Sequence, residues 1–153
     1  MGSSRNREAG HKYERDIVNA LKAQGFEHVV TTRSCNRARD AEKIDIANSN
    51  EAVQGRFPYN IQAKNKAQGS SFNYVRTLSE LPKIPGVINV ILRKLTAKSA
   101  TGKFISKGTF AFLEQEDFLK MSGDIQQLKV LKEELNKHPE MVEILKKKDL
   151  WKD

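Results

Sequence analysis

The 153-residue chain has one cysteine, Cys35, so no internal disulfide can form. That fits a reducing compartment. No apolar run comes near the ~20 residues that a spanning helix requires. The opening Met1-Gly2-Ser3-Ser4-Arg5-Asn6 holds no apolar signal core, and Asn6 stands where a myristoylation site needs Ser or Thr. These absences predict a soluble, intracellular protein of the cytoplasm. Histidine is scarce, and His11, His28 and His138 lack the close spacing of zinc ligands. No Gly-Lys-Ser/Thr pattern follows Gly69-Ser70-Ser71, which excludes a P-loop there. Acid is short as well: 19 Asp plus Glu stand against 27 Lys plus Arg, a formal net charge of +8. Such a balance attracts polyanions, nucleic acid above all, although solubility alone also accounts for a charged surface.

What is present fits one domain. Residues 1–9 are polar and expected to fray. Tyr13, Ile17, Val18 and Leu21 form an apolar stripe that predicts a helix over 10–24, closed by Gly25. Residues 27–33 are rich in β-branched side chains and read as a strand. A basic loop over 34–42, a short strand over 43–47, a turn-rich connection over 48–57 and a strand over 58–64 follow. The next helix, 72–81, ends at Pro82 and Pro85. The apolar run 87–92 suits a strand buried on both faces. Residues 94–107 read as a cationic connection, 109–113 as a last strand and 114–121 as a short helix. After Ser122-Gly123, a helical tail keeps Ile125, Leu128, Leu131 and Leu135 in register, and Pro139 starts a second segment with Val142 and Leu145. The order predicts an α/β fold: a flexible 1–9, a core over 10–123, and a helical extension over 124–153 that packs on the core or on a second subunit.

The chemistry-bearing residues sit on this frame. Glu14 shares the helical face of Ile17, Val18 and Leu21, so it should point at the sheet. A carboxylate there is costly unless a cation or metal meets it, or unless it lies at the stripe's edge and reaches water. Alternation turns Asp45 away from Ile44 and Ile46, and puts Gln62 and Lys64 together on one face. If the two strands pair, one register sets Asp45, Gln62 and Lys64 side by side. Asp45, Gln62 and the backbone carbonyl of Ala63 could then hold a divalent metal, and Lys64 could orient the attacking water and stabilise phosphate charge. Singly, Asp45 could be a strand-end ion-pair acid and Lys64 a solvated edge lysine. Asp40 competes with Asp45, but a strand fixes direction better than a loop. Arg33, Arg37, Arg39 and Lys66 flank the site, and Lys98, Lys103 and Lys107 lie in predicted loops; such residues give phosphate contacts without sequence reading. Phe72 and Tyr74 suit base stacking or helix packing equally.

Taken together, Glu14, Asp45 and Gln62-Ala63-Lys64 resemble the signature of the PD-(D/E)xK nuclease superfamily, whose core is helix, three strands, helix, strand. Residues 10–21 (Gly-His-Lys-Tyr-Glu-Arg-Asp-Ile-Val-Asn-Ala-Leu), Gly25-Phe26, Arg33-Ser34 and Lys43-Ile44-Asp45-Ile46 look like archaeal and viral Holliday-junction resolvases. The motifs cover about residues 10–66. The resemblance implies a restriction-endonuclease-like core and a magnesium-dependent endonuclease, with manganese as a substitute metal, acting as a homodimer on four-way DNA junctions. It also implies metal-binding or catalytic roles for Glu14, Asp45 and Lys64 and an active-site role for Ser34. Two departures stand out. Gln62 occupies the usual glutamate position, as in related restriction-type enzymes, which weakens binding of a second metal. The proline that usually precedes the aspartate is absent. The alternatives are a restriction-like or repair nuclease on duplex DNA, a catalytically inactive DNA-binding module of the same fold, and a basic ribonucleoprotein scaffold.

Overall fold

Helix α1 (Ser4–Ala23) opens the fold and buries Tyr13, Glu14 and Val18. The computed structural model describes residues 4–35, 37–49, 57–148 and 150–151. The helix starts six residues before the expected Gly10, because the polar turn ahead of the apolar stripe prolongs a helix without adding a buried face. Gly25, at φ 96°, ends it in the left-handed region.

Strand β1 (Val29–Thr31) is followed by two short helical turns, α2 (Thr32–Cys35) and α3 (Arg37–Ala41). The expected loop over 34–42 is therefore largely helical. The Thr32 amide donates to the Asp45 carbonyl at 2.9 Å, and its hydroxyl donates to the Ile44 carbonyl, so the chain leaves the sheet at Thr32. Strand β2 is Ile46–Asn48, three residues later than the sequence suggested, because Lys43 adopts a φ of 65° that no strand accommodates. Most of the turn-rich connection expected over 48–57 lies outside the described residues. Strand β3 (Tyr59–Ala67) and strand β4 (Ile88–Lys98) run parallel, joined through helix α4 (Tyr74–Ser79). Strand β5 (Phe104–Phe112) returns antiparallel. The connection predicted over 94–107 is thus mostly strand.

The sheet is mixed and five-stranded in the order β1-β2-β3-β4-β5. Val29, Ile44, Ile46, Phe57 and Ile91 are buried to 1% exposure or less and fill its core. Register divides the faces. Ile61 lies opposite Ile46 and beside Val90, whereas Gln62 and Lys64 lie beside Ile91 and Arg93 on the other face. Helix α1 covers the first face: Ala9 accepts a hydrogen bond from Asn65, and Lys94 sits 5.7 Å from the Tyr13 ring centroid. Helix α4 covers the second, where Leu78 packs on Ile44, Ala47 and Leu81.

The chain divides into two compact units, Met1–Glu114 and Gln115–Asp153. The second is a helical hairpin of α5 (Gln115–Asn136) and α6 (Pro139–Lys147). Helix α5 passes through Ser122 and Gly123, where the sequence suggested a break. The Ser122 hydroxyl bonds back to the Phe118 carbonyl at 2.9 Å, a contact the helix tolerates. No helix is long and apolar enough to cross a membrane among the described residues.

Candidate active site at the rim between β2 and β3

Asp45 stands just before β2, where that strand parts from β3. Its amide donates to the Ile61 carbonyl at 2.9 Å, and the register of Ile46 on Ile61 sets it opposite Gln62. The Asp45 carbonyl is taken by Thr32, so its side chain does what a ladder carbonyl would do: Oδ2 accepts the Ala63 amide at 2.8 Å. Burial lifts the Asp45 carboxyl above the ordinary carboxylate range, and Asp40 adds a small rise. The Ala63 amide, then Lys64 and Arg33, oppose it.

Glu14 reaches the same region from α1 and is 7% exposed. Arg33 Nη2 contacts its Oε1 at 3.4 Å, while Arg33 Nη1 lies 2.8 Å from His11 Nε2. Burial raises the Glu14 carboxyl, and the Asp45 charge raises it further. Arg33 and Lys64 pull it down, and Asp40 pushes weakly upward. Each acid thus feels Lys64, Arg33 and Asp40, so Glu14, Asp45 and Lys64 share one electrostatic neighbourhood.

Gln62 is 5% exposed, and its Oε1 is buried without a hydrogen-bond partner. A buried amide oxygen left unpaired costs about 1–3 kcal/mol; Gln62 shares the face of Lys64, whereas Glu14 comes from α1 on the other face. Ala63 enters through its amide, which Asp45 occupies. Among the described residues no three His, Cys, Asp or Glu side chains form a group that could hold a metal. The carboxylates that act on one another around Asp45 are Glu14, Asp45 and, weakly, Asp40.

The flanking residues divide in their behaviour. Arg33 is an internal partner of Glu14 as much as a surface cation. Arg39 pairs with Glu42 at 3.1 Å and is largely buried. Arg37 and Lys66 are exposed. Ser34 is exposed at the end of α2, and its hydroxyl lies 3.3 Å from Thr31 Oγ1 and 3.4 Å from Cys35 Sγ. Sequence reasoning missed three participants. His11 is placed one helical turn before Glu14 to meet Arg33, and helical periodicity could have found it. Asp40, set aside as the rival acid, adds charge at both carboxylates. Arg93, the register neighbour of Lys64, is buried against Tyr74 and Ser70, donating to the Tyr74 hydroxyl and to the Ser70 carbonyl at 3.1 Å. It follows the apolar run 87–92 and precedes Lys94, a pattern that gives no signal of a buried cation. Phe72 and Tyr74 pack edge to face 4.9 Å apart, and Tyr74 stacks on Phe112, so both serve packing.

No family model, no curated protein and no solved structure matches the chain.

Proposed function

We propose that the chain is a metal-dependent endonuclease that hydrolyses phosphodiester bonds in DNA and resolves four-way junctions as a homodimer. The observation that carries this reading is a buried Glu14 and a partly buried Asp45, both with raised carboxyl pKa values and both in the field of Lys64, with Gln62 set opposite Asp45 in the register. Desolvation is the main cause of both shifts, and a bound cation would favour the charged carboxylates. The helix, three-strand, helix, strand order, with β3 and β4 parallel across α4, supports a restriction-endonuclease-like core. The net charge of +8 supports a polyanionic substrate. The exposed Phe118, Leu128 and Leu131 of α5 support self-association.

The all-oxygen donor set suits a hard cation such as Mg2+. Glu14, Asp45 and Gln62 would hold it, and when bound it would supply charge neutralisation and an acidified water. The chain's own residues do the rest. The Ala63 amide fixes the Asp45 carboxylate. Arg33 restrains Glu14. Lys64, on the same strand face as Gln62, stabilises charge on the phosphate and orients the nucleophile.

One observation favours a second reading, a nucleic-acid-binding module of the same fold without catalysis. The Arg33 contact partly neutralises Glu14, and no group of three acidic, His or Cys ligands is present among the described residues. Titration calorimetry of the protein with Mg2+ and Mn2+, in wild type and in Asp45→Asn, separates the two. The nuclease reading expects binding that Asp45→Asn abolishes; absence of binding in the wild type supports the module.

A further inference from the structure

From Leu81 to Leu113 the chain contains no Asp or Glu, yet carries Lys83, Arg93, Lys94, Lys98, Lys103 and Lys107. Much of this stretch folds as the β4–β5 pair, which outruns the rest of the sheet. Strand β3 ends at Ala67 beside Thr96, so Ala97 and Lys98, paired with Ile105 and Phe104, form a two-stranded ribbon beyond it. A tight turn closes the ribbon, with the Ser99 amide on the Lys103 carbonyl at 2.8 Å. At its base the register slips by one residue opposite Leu95 and Thr96, and Gly108 takes a φ of 132°. A bulge of this kind bends and twists a ribbon away from its sheet.

The side chains on the ribbon are unusual for a free sheet edge. Phe104 is 61% exposed and Ile105 43%, and Lys98 Nζ lies 5.9 Å from the Phe104 ring centroid. Edge lysines are a common guard against strand pairing. That explains Lys98, Lys103 and Lys107, but an exposed phenylalanine and isoleucine at the same edge work against such a guard. Cations beside an open aromatic ring, in a stretch of chain without Asp or Glu, match the chemistry of an unpaired polynucleotide, whose phosphates need charge and whose bases need a stacking surface. Lys98 lies five residues past Arg93, the register neighbour of Lys64, so alternation sets Lys98 and its partner Phe104 on the opposite face from Lys64, and the ribbon is a surface separate from the candidate site.

We propose that this ribbon is a single-strand finger: Phe104 stacks on an unpaired base, while Lys98, Lys103 and Lys107 hold the backbone on either side of it. The finger deepens the nuclease reading and rests on it only for what becomes of the bound DNA. It makes unpaired nucleotides, as at a branch point, part of what is recognised.

The test measures binding in EDTA, by fluorescence anisotropy, of a labelled single-stranded oligonucleotide and of a perfect duplex of equal length. Phe104→Ala weakens the single strand about tenfold and leaves the duplex within about twofold, since phosphate contacts carry duplex binding. Phe104→Tyr restores the single-strand affinity. Because the ring is mostly exposed, the variants keep the wild-type melting temperature, which a thermal scan checks. Equal affinity of wild type and Phe104→Ala for the single strand overturns the proposal, as does an equal loss on both ligands. Conversion of a dimer to a monomer by Phe104→Ala in sedimentation assigns the ribbon to a second copy and overturns it also. A protein that shows the Phe104 effect but cuts no DNA with Mg2+ loses the nuclease reading alone; one that cuts but ignores Phe104 loses the finger alone.

Discussion

Lys64 is the residue whose role is easiest to isolate. Its amine shares a face with Gln62 and lies in the field of both acids, so its removal should affect charge stabilisation at the phosphate more than docking of the polymer. Lys64→Ala is expected to bind junction DNA almost as wild type and to cut it about 10²–10³-fold more slowly. Unchanged cutting in single-turnover assays would remove Lys64 from the mechanism. The two acids make a prediction about stability. Their folded pKa values are raised, so the native state keeps protons that the unfolded chain has already lost. Their stabilising contribution is complete below the unfolded carboxylate value of roughly 4 and disappears as pH rises through the folded values. In metal-free buffer, Asp45→Asn keeps an acceptor for the Ala63 amide and removes the buried charge. It should therefore exceed wild type at neutral pH by about 0.5–2 kcal/mol and converge with it in acid. A variant that tracks the wild-type melting curve at every pH would show that the Asp45 charge is well accommodated. At this scale the inward placing of Glu14 was legible from helical periodicity, and the shared face of Gln62 and Lys64 from strand alternation; Asp45 lies one residue before β2, where alternation does not reach. The Arg33 link to Glu14 was not, since it joins residues through a helical turn that no apolar stripe announces.

At the scale of elements, Gly108 sustains the bulge that frees the ribbon. A Cβ there would lie 3.2 Å from the Phe110 ring, in a backbone conformation that L side chains rarely adopt. Gly108→Ala should destabilise the protein by about 1–3 kcal/mol, measured by denaturant unfolding; a change near zero would mean the bulge relaxes freely. The sequence allowed five strands and the α4 crossover to be anticipated wherever apolar residues were dense, as in Val90 and Ile91. It hid the outer halves of β4 and β5, because an exposed ribbon has no buried face to impose alternation. Likewise α2 and α3 rest on hydrogen bonds to Ile44 and Asp45 that only the tertiary fold supplies. The run through Ser122-Gly123 in α5 shows the converse, with strong helix formers on either side overriding a local break signal.

The whole molecule is a basic sheet unit and a helical hairpin. In the hairpin, α5 buries none of its residues, and Leu128 and Leu131 are 63% and 54% exposed. If this face joins two copies, Leu128→Glu with Leu131→Glu yields a monomer in analytical ultracentrifugation; an unchanged mass would place the interface elsewhere. Binding of a four-way junction should weaken with a log–log salt slope of about −5 to −9 for six to ten phosphates. The measurement that bears most directly on the account is cleavage of a labelled four-way junction, with an equal amount of linear duplex as competitor, in Mg2+ and in EDTA. Cuts in opposed strands of the junction that require Mg2+ and vanish in Asp45→Asn are the predicted result. Intact junction in Mg2+ and in Mn2+, under conditions where the protein binds it, would contradict the claim that Glu14, Asp45, Gln62 and Lys64 form a nuclease site.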